Sequence, residues 1–292
     1  MEHQLYREIV AVLRRIGKRR RRRGEVFSDE EIVRTWFWGA IYDRPVSWAC
    51  QRRNAPLHER SRPRPSNATM SRRLRSEEVR RLLDQIETDV LRPQQRCLLW
   101  MIDGKPLTIG GCSKDRQAGY GRAASTMAKG YKLHAVFGPQ FTVAAWRIAP
   151  MNKDERVMAR RLLRDAPVQG YVLGDGNYDS NDLHDVCFAR DNVQFVAPRR
   201  YGPGRGTGHR RQSPGRLRSM ELLEGESSFG RSLFSQRFLI EQSFGHLTSW
   251  GGGLNSLPSW ARTHRRVHRW VQAKLILTAL KRRLSSTTCV DS

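Results

Sequence analysis

Two aspartates stand at matching places in the sequence, each directly after a short apolar run and directly before a glycine. Asp103 follows residues 98–102, and Asp175 follows residues 171–174. Runs of this length predict buried strands, and the strand ends of an open α/β sheet meet at the crevice where ligands bind. The glycines remove side-chain bulk beside each carboxylate, so a metal ion or a phosphate can approach. Taken singly, each aspartate also fits a turn or a helix cap, and this alternative stays open.

A third acid, Glu241, falls on a helix predicted over residues 232–247. It lies at the edge of an apolar stripe, between Phe238 and Phe244, and we expect it to be partly buried. A buried carboxylate requires a cation, and the candidates are a metal ion and Arg237, four residues earlier on the same helix face. An exposed Glu–Arg pair is the alternative.

These three acids would supply hard oxygen donors without a thiolate or a clustered imidazole, a set that suits Mg²⁺ or Mn²⁺. Two such ions about 4 Å apart can activate a water or a 3′-hydroxyl and stabilise the leaving oxygen at phosphorus. The chain has 292 residues and a formal net charge of +25, which favours a polyanion as its partner, with nucleic acid as the first candidate and an acidic membrane surface as the second. We therefore expect phosphodiester chemistry on DNA or RNA.

Other polar residues compete for a chemical role. Asp154 opens a predicted helix, where an aspartate is a routine cap, and Asp115 lies in a polar, glycine-rich loop, so both rank lower. Lys132 and His134 share one face of a predicted strand, where they either bind phosphate or face solvent.

The elements that must position these residues change character along the chain. Residues 92–292 alternate short apolar strands with helices, which predicts an α/β domain, and residues 198–225 form a basic, irregular insert within it. Residues 1–91 predict a small helical DNA-binding region, in which a capping box at Ser28 precedes a buried helix.

Basic residues of this helical region are candidates for DNA contact. Arg72 and Arg73 are expected to face outward on the third helix, as in a helix-turn-helix, with a plain helical bundle as the alternative. A basic arm over residues 14–23 predicts either phosphate contact or a solubilising tail. The arm includes Arg19, Arg20, Arg21, Arg22 and Arg23.

Membrane insertion and secretion are not expected. The longest apolar run, residues 33–42, is interrupted by Arg34 and is too short to span a bilayer. The first residues lack the basic-then-apolar order of a secretory signal, so a cytoplasmic protein is expected. The five cysteines stand far apart without a C-x-x-C pair, which argues against a disulfide framework or a zinc finger.

Four sequence blocks, in this order, resemble the DDE transposases of bacterial insertion sequences. The blocks are WMIDGK at 100–105, GYKLH at 130–134, GDGNYDS at 174–180 and F-x-x-R-x-x-x-E at 234–241. The resemblance implies a ribonuclease H-like mixed sheet flanked by helices, with Asp103, Asp175 and Glu241 as catalytic and metal-binding residues. In the family, the glutamate signature is Tyr, two residues, Arg, three residues, Glu, six residues, Lys. Arg237 and Glu241 match it, whereas the first and last positions are Phe and Thr here.

The same resemblance implies a function. A transposase of this kind would bind the inverted repeats at the ends of its element as double-stranded DNA, cut there with two Mg²⁺ or Mn²⁺ ions, and join the 3′ ends to target DNA. Synapsis of two ends implies a homodimer. The resemblance also implies a bacterial protein that is associated with the nucleoid in the cytoplasm. The alternatives are a metal-dependent nuclease without strand transfer, an inactive copy that only binds DNA, and a basic RNA-associated protein.

Overall fold

A computed structural model describes residues 1–17, 24–91, 97–110, 113–124, 126–200, 212–250, 253–254 and 256–288. The chain divides into two compact units. The first comprises Met1–Arg92, Leu247–Leu254 and Arg269–Ser292, and the second comprises Pro93–His246 and Asn255–His268.

The first unit is helical. Its amino-terminal part contains α1 Glu2–Ile16, α2 Asp29–Ile41, α3 Val46–Ala49, α4 Asn67–Arg73 and α5 Glu77–Leu91, with 3-10 turns at Arg52–Asn54 and Leu57–Glu59. The capping box that starts α2 is confirmed. Ser28 Oγ accepts from the Glu31 N–H at 3.2 Å, and the Glu31 carboxylate accepts from the Ser28 N–H at 2.7 Å. The apolar faces of α1, α2 and α5 are buried and form the core of this unit.

The C-terminal helix, His264–Thr288, completes this core from Arg269 onward. Trp270 and Leu275 are buried, and the Gln272 side chain donates to the Asp84 carboxylate at 3.0 Å. The first unit therefore extends beyond a division at residue 91, because the C-terminal helix is apolar on the sides that pack here. None of the described helices, this one included, combines the length and the apolar composition that crossing a membrane requires.

The second unit is built on a six-stranded mixed sheet. The strands are β1 Leu99–Thr108, β2 Gly119–Ala123, β3 Thr126–Gly138, β4 Thr142–Pro150, β5 Gly170–Leu173 and β6 Val193–Val196. Their order is β2-β3-β1-β5-β6, with β4 also paired to β3. The pairs β1–β3, β2–β3 and β3–β4 are antiparallel, whereas β1–β5 and β5–β6 are parallel. This topology, with the helices that flank it, confirms the ribonuclease H-like fold.

The described helices that accompany the sheet are α6 Glu155–Asp165, α7 Asn181–Phe188, α8 Pro214–Glu224, α9 Ser228–Ser235 and α10 Phe238–Thr248. Leu162 of α6 and Leu183 of α7 pack with Ile102 of β1 in one core on one face of the sheet. The prediction of an irregular insert over 198–225 is wrong for the part that forms α8. This helix has no apolar stripe that would predict it, because the positions that it buries are Gly215, Arg216 and Ser219. Residues 201–211 of that insert lie outside the described part of the chain.

The prediction of a single helix over 232–247 is also wrong, because this segment forms two helices, α9 and α10, with an interruption between them. At the break, Gln236 N–H donates to the Leu233 carbonyl at 3.1 Å and Arg237 N–H donates to the Phe234 carbonyl at 3.0 Å. These bonds span three residues rather than four and close the end of α9, so Arg237 lies between the two helices and Glu241 lies in the first turn of α10.

Candidate active site

Asp103 lies inside β1 rather than at its end. The strand continues because β3 pairs alongside it, with Asp103 opposite Ala135. The parallel pairing of β1 with β5, however, ends at the pair Met101–Leu173. Asp103 and Asp175 each stand two residues beyond this last pair, so both aspartates lie at the point where β1 and β5 separate.

Asp175 starts the short turn that follows β5. Its Oδ1 accepts from the Asn177 N–H at 2.9 Å, and the residue caps the 3-10 turn Gly176–Tyr178. The capping role proposed as the alternative is therefore real, and it leaves the carboxylate half-buried at the sheet edge. The capping bond and a binding role are compatible, because Asp175 Oδ1 accepts from the turn while the carboxylate stays close enough to Asp103 to raise the pKa of Asp103.

The charge state of Asp103 is strongly perturbed. Burial raises the pKa of Asp103 to about 6, the N–H of Gly104 at 2.7 Å lowers it, and the charges of Asp175 and Glu155 raise it again. Arg237 lowers the pKa by its positive charge. A partly buried carboxylate that feels two other acids favours an added cation, because the cation would compensate both burial and repulsion.

The face of β1 that carries Asp103 is covered by α10. Lys105, on the same face, has its Nζ 5.9 Å from the ring centroid of Phe244, and Phe137 packs edge-on against the same ring at 5.4 Å. Side chains alternate between faces along a strand, so Asp103 also points to this side. The helix that carries Glu241 therefore lies on the Asp103 side of the sheet.

Glu241 itself differs from the expectation of partial burial. Its side chain is 69% exposed, and Oε1 lies 3.6 Å from Nη2 of Arg237. The exposed Glu–Arg pair is thus the arrangement present, because the edge of the apolar stripe turns to solvent in α10. Arg237 acts on two acids at once, as the ion-pair partner of Glu241 and as a favourable charge for Asp103.

A metal ion is compatible with this donor set. Within the described residues, no group of three His, Cys, Asp or Glu side chains is arranged to hold an ion. Asp103 and Asp175 nevertheless converge as two hard oxygen donors, and Glu241 is tied to Arg237 by an exposed pair at 3.6 Å. Carboxylate oxygens alone match Mg²⁺ or Mn²⁺ rather than zinc or copper.

Lys132 and His134 lie on the opposite face of the sheet and are both buried. A Cβ at Gly104 would meet Lys132 Cδ at 2.8 Å, so this glycine leaves room for the lysine side chain, which pairs with Glu155. His134 is 1% exposed, and burial, together with the charge of Lys132, lowers the pKa of its imidazole to about 4. Both sequence interpretations, phosphate binding and exposure to solvent, require accessible side chains. The structure instead buries both side chains.

The two competing aspartates have structural roles. Asp154 caps α6 by accepting from the Arg156 N–H at 2.8 Å. Asp115 accepts from the Tyr131 hydroxyl at 2.8 Å and from the Thr263 N–H at 2.8 Å. Both carboxylates are occupied by donors of the fold.

In the first unit, Arg73 does not face outward as expected. Its guanidinium donates to Asp29 Oδ1 at 2.5 Å and to the Phe27 carbonyl at 2.9 Å, which fastens α4 to the start of α2. Arg72 is exposed. The arm residues Arg19, Arg20, Arg21, Arg22 and Arg23 lie outside the described residues.

Sequence reasoning missed three residues beside the aspartates. Tyr178 is fully buried, and its hydroxyl has no hydrogen-bond partner among the described residues. Burial, followed by the charges of Asp103, Glu155 and Asp175, raises the pKa of Tyr178. Tyr178 and Asp179 belong to the GDGNYDS block, in which only Asp175 received a role. Glu155 follows a helix cap, and nothing in its sequence context distinguishes it from an ordinary first-turn acid.

Comparison with known proteins agrees with the geometry. The sequence model of a family described as the transposase DDE domain matches residues 98–275, more than half of the 292-residue chain. The match includes Asp103, Asp175 and Glu241. A search of curated proteins finds no match.

Proposed function

The chain belongs to the DDE transposases, and from this premise we propose that it is an insertion-sequence transposase that cuts the ends of its element and transfers them to target DNA. The observation that carries the proposal is the convergence of Asp103 and Asp175 where β1 and β5 separate. The family uses divalent metal ions and binds DNA, and both requirements fit the hard oxygen donors and the net charge of +25.

Asp103 and Asp175 would hold the ions, Mg²⁺ or Mn²⁺ and two in number, with Glu241 as the third ligand. Bound ions supply Lewis acidity and an activated water or 3′-hydroxyl for in-line displacement at phosphorus. The protein contributes orientation: the Gly104 N–H fixes one oxygen of Asp103, and the turn after β5 fixes Asp175.

Arg237 has a second task, which is to bind the scissile phosphate. Its pair with Glu241 is exposed and 3.6 Å long, so separating the two costs under about 1 kcal/mol. The planar guanidinium can donate two parallel hydrogen bonds to the oxygens of a DNA phosphate, and this contact competes with the glutamate. Arrival of DNA would therefore release Glu241 toward the aspartates at the moment the substrate is in place.

The first unit would bind the element's ends through the segment 51–75. Glu59, the one acid of this segment, is 2% exposed and is neutralised by Arg34 and Arg64. The segment's exposed arginines are Arg52, Arg53, Arg60, Arg62, Arg72 and Arg75. A surface with only positive charge suits the phosphate backbone of double-stranded DNA, and the arm over 14–23 would add to it.

Cleavage and joining assays test the catalytic proposal. Asp103→Asn and Asp175→Asn should each lose cleavage by about 10³-fold and retain DNA binding, because a lost ligand removes several kcal/mol of charge stabilisation. Asp154→Asn makes the same chemical change at a helix cap and should cut normally. Pre-cut ends that the wild-type chain fails to join would support the nuclease alternative, and unaltered cutting by either aspartate variant would remove that residue from the site.

Salt-dependent DNA binding tests the surface of the first unit. Replacing Arg52, Arg53, Arg60 and Arg62 with Gln should lower the slope of log K against log[salt] by up to about 0.9 per lost phosphate contact. Arg80 and Arg81, which pair with Glu77 on α5, supply the matched control. Equal slopes for both sets of variants would place the DNA contact elsewhere.

A further inference from the structure

Asp179 closes the short turn that Asp175 opens. The Tyr178 N–H donates to the Asp175 carbonyl at 3.0 Å, and the Asp179 N–H donates to the Gly176 carbonyl at 3.3 Å. The two aspartates are therefore the two ends of one hydrogen-bonded turn. Whatever fixes Asp179 also limits how far the backbone of Asp175 can move.

The carboxylate of Asp179 is buried and fully engaged. Arg216 donates to it through two parallel bonds, Nε to Oδ1 and Nη2 to Oδ2, both 2.7 Å long. The Arg200 N–H adds a bond at 3.1 Å, and His184 Nε2 lies 3.5 Å away. Burial alone would raise the pKa of Asp179, but the bonds from Arg216 and His184 hold it well below its usual range. The pair is thus ionised and has the fork geometry that fixes direction as well as distance.

Arg216 is itself held by elements of the sheet. It lies on α8, where Ser219 Oγ accepts from the Ala197 N–H at 3.1 Å and donates to the Ala197 carbonyl at 3.2 Å. Gln194 of β6 donates to the Gly215 carbonyl at 3.0 Å. Since β6 pairs with β5, which leads directly into Asp175, these contacts form a closed ring of β5, the turn, the Asp179–Arg216 pair, α8 and β6.

Asp175 has no comparable support of its own in the described structure. Its side chain is bonded only inside its turn, to the N–H and side-chain amide of Asn177 at 2.9 and 3.4 Å. We propose that Asp179 and Arg216 are positioning residues, which hold Asp175 where it can ligate a divalent cation together with Asp103. This inference rests on the proposed function, because it assigns the pair a task toward the ligand of that same site.

A purely structural ion pair would affect folding but not the affinity of the folded protein for metal. Arg216→Lys separates these roles, because lysine keeps the positive charge and cannot reproduce the two parallel bonds. The probe is Mn²⁺ alone, titrated into the full chain by calorimetry and by electron paramagnetic resonance. Outer partners of metal ligands typically change affinity by about 10- to 100-fold, so we expect Arg216→Lys to weaken Mn²⁺ binding by at least about tenfold.

Activity should follow the same pattern. The Mn²⁺ concentration for half-maximal cleavage should rise about tenfold in Arg216→Lys, while the rate at saturating Mn²⁺ and the affinity for DNA stay near wild type. The matched control is Arg160→Lys, which alters an exposed pair with Asp182 at 2.6 Å between α6 and α7. This control should bind Mn²⁺ within about twofold of wild type.

Thermal melting verifies that each variant folds. Where Arg216→Lys does not melt cooperatively, Asp179→Asn, which keeps the shape of the side chain, is measured by the same titration with the same expectation. A folded Arg216→Lys or Asp179→Asn that binds Mn²⁺ as wild type does would overturn the inference. Asp175→Asn distinguishes the two levels: normal Mn²⁺ binding by Asp175→Asn would refute the proposed metal site itself, whereas loss there with no loss in the Arg216 variant would refute only the positioning role.

Discussion

Replacing Asp103 with Asn should stabilise the protein while it removes catalysis. Burial raises the pKa of Asp103 from its ordinary 3.8 to about 6. One pKa unit corresponds to about 1.4 kcal/mol, so keeping this carboxylate ionised costs the folded state about 3 kcal/mol. Asparagine has nearly the same shape, can still accept from the Gly104 N–H and carries no charge. The free energy of unfolding of Asp103→Asn should therefore exceed that of wild type by about 3 kcal/mol at pH 7.5 without metal.

The sign of the effect depends on pH. Because the folded-state pKa of Asp103 lies above the unfolded-state value, the folded protein binds the proton more tightly, and stability falls as pH rises from about 4 to about 6. The cost is fully present above pH 6 and absent below pH 4. The advantage of Asp103→Asn should accordingly vanish at pH 4.

Urea unfolding in EDTA at pH 7.5 and at pH 4, followed by circular dichroism, measures both quantities. Asp154→Asn is the matched control with the opposite sign, because its bonds from Arg156 lower the pKa of Asp154 to about 2 and its loss should destabilise. Added Mn²⁺ should stabilise the wild type and leave Asp103→Asn unchanged. An Asp103→Asn variant no more stable than wild type at pH 7.5, or one whose advantage persists at pH 4, would refute the reasoning.

Three further predictions concern residues whose surroundings became visible in the structure. Arg73→Ala should lower the free energy of unfolding by about 1–3 kcal/mol, since it removes the ion pair with the buried Asp29 carboxylate. Arg72→Ala should lower DNA affinity alone, and melting and gel-shift assays of both variants check this. Burial lowers the pKa of Lys274 from 10.5 to about 8, so the unfolded state binds more protons in that interval and stability should rise with pH across it. Urea unfolding at pH 7.5 and 10 should show this rise in wild type and not in Lys274→Met. Gly104→Ala should lower the melting temperature, because its methyl group would meet Lys132 Cδ at 2.8 Å, and adding Lys132→Ala should restore part of the loss; strictly additive effects would exclude that clash.

Local signals predicted much of the fold. The capping box at Ser28 and the cap at Asp154 could be predicted from the sequence, because each depends on residues within one helical turn. The positions of Asp103 and Asp175 next to paired strands could also be predicted, because an apolar run before each aspartate predicts a strand. Even so, β1 extends past Asp103, since its ladder with β3 continues beyond the apolar run that predicted the strand.

Features that depend on contacts between residues far apart in the chain could not be predicted from the sequence. Nothing in the sequence around Arg73 distinguishes it from an exposed arginine, because its partner Asp29 lies 44 positions away in the chain. Alternation along β3 showed that Lys132 and His134 share a face, but not that α6 covers this face and that Glu155 pairs with the lysine there. The sequence of α8 lacks apolar residues at helical spacing, because the positions that this helix buries are small or charged, and the helix was therefore not predicted.

The partners of the acids distinguish the candidate site from the rest of the molecule. The chain has 53 basic residues and 28 acidic ones, so an acid can readily find a basic partner. Among the described buried acids, Asp29 pairs with an arginine, Glu59 with two and Asp179 with one in a two-bond fork. Asp115 accepts from the Tyr131 hydroxyl and from the N–H groups of Gln117 and Thr263, so donors from distant parts of the fold occupy its carboxylate. Within the part of the chain that the structure describes, Asp103 and Asp175 instead accept hydrogen bonds only from groups one or two residues away, even though they repel each other. Two neighbouring carboxylates that have no basic ion-pair partner among the described residues of so basic a chain support the proposal that they are ligands for a cation that arrives from outside the protein.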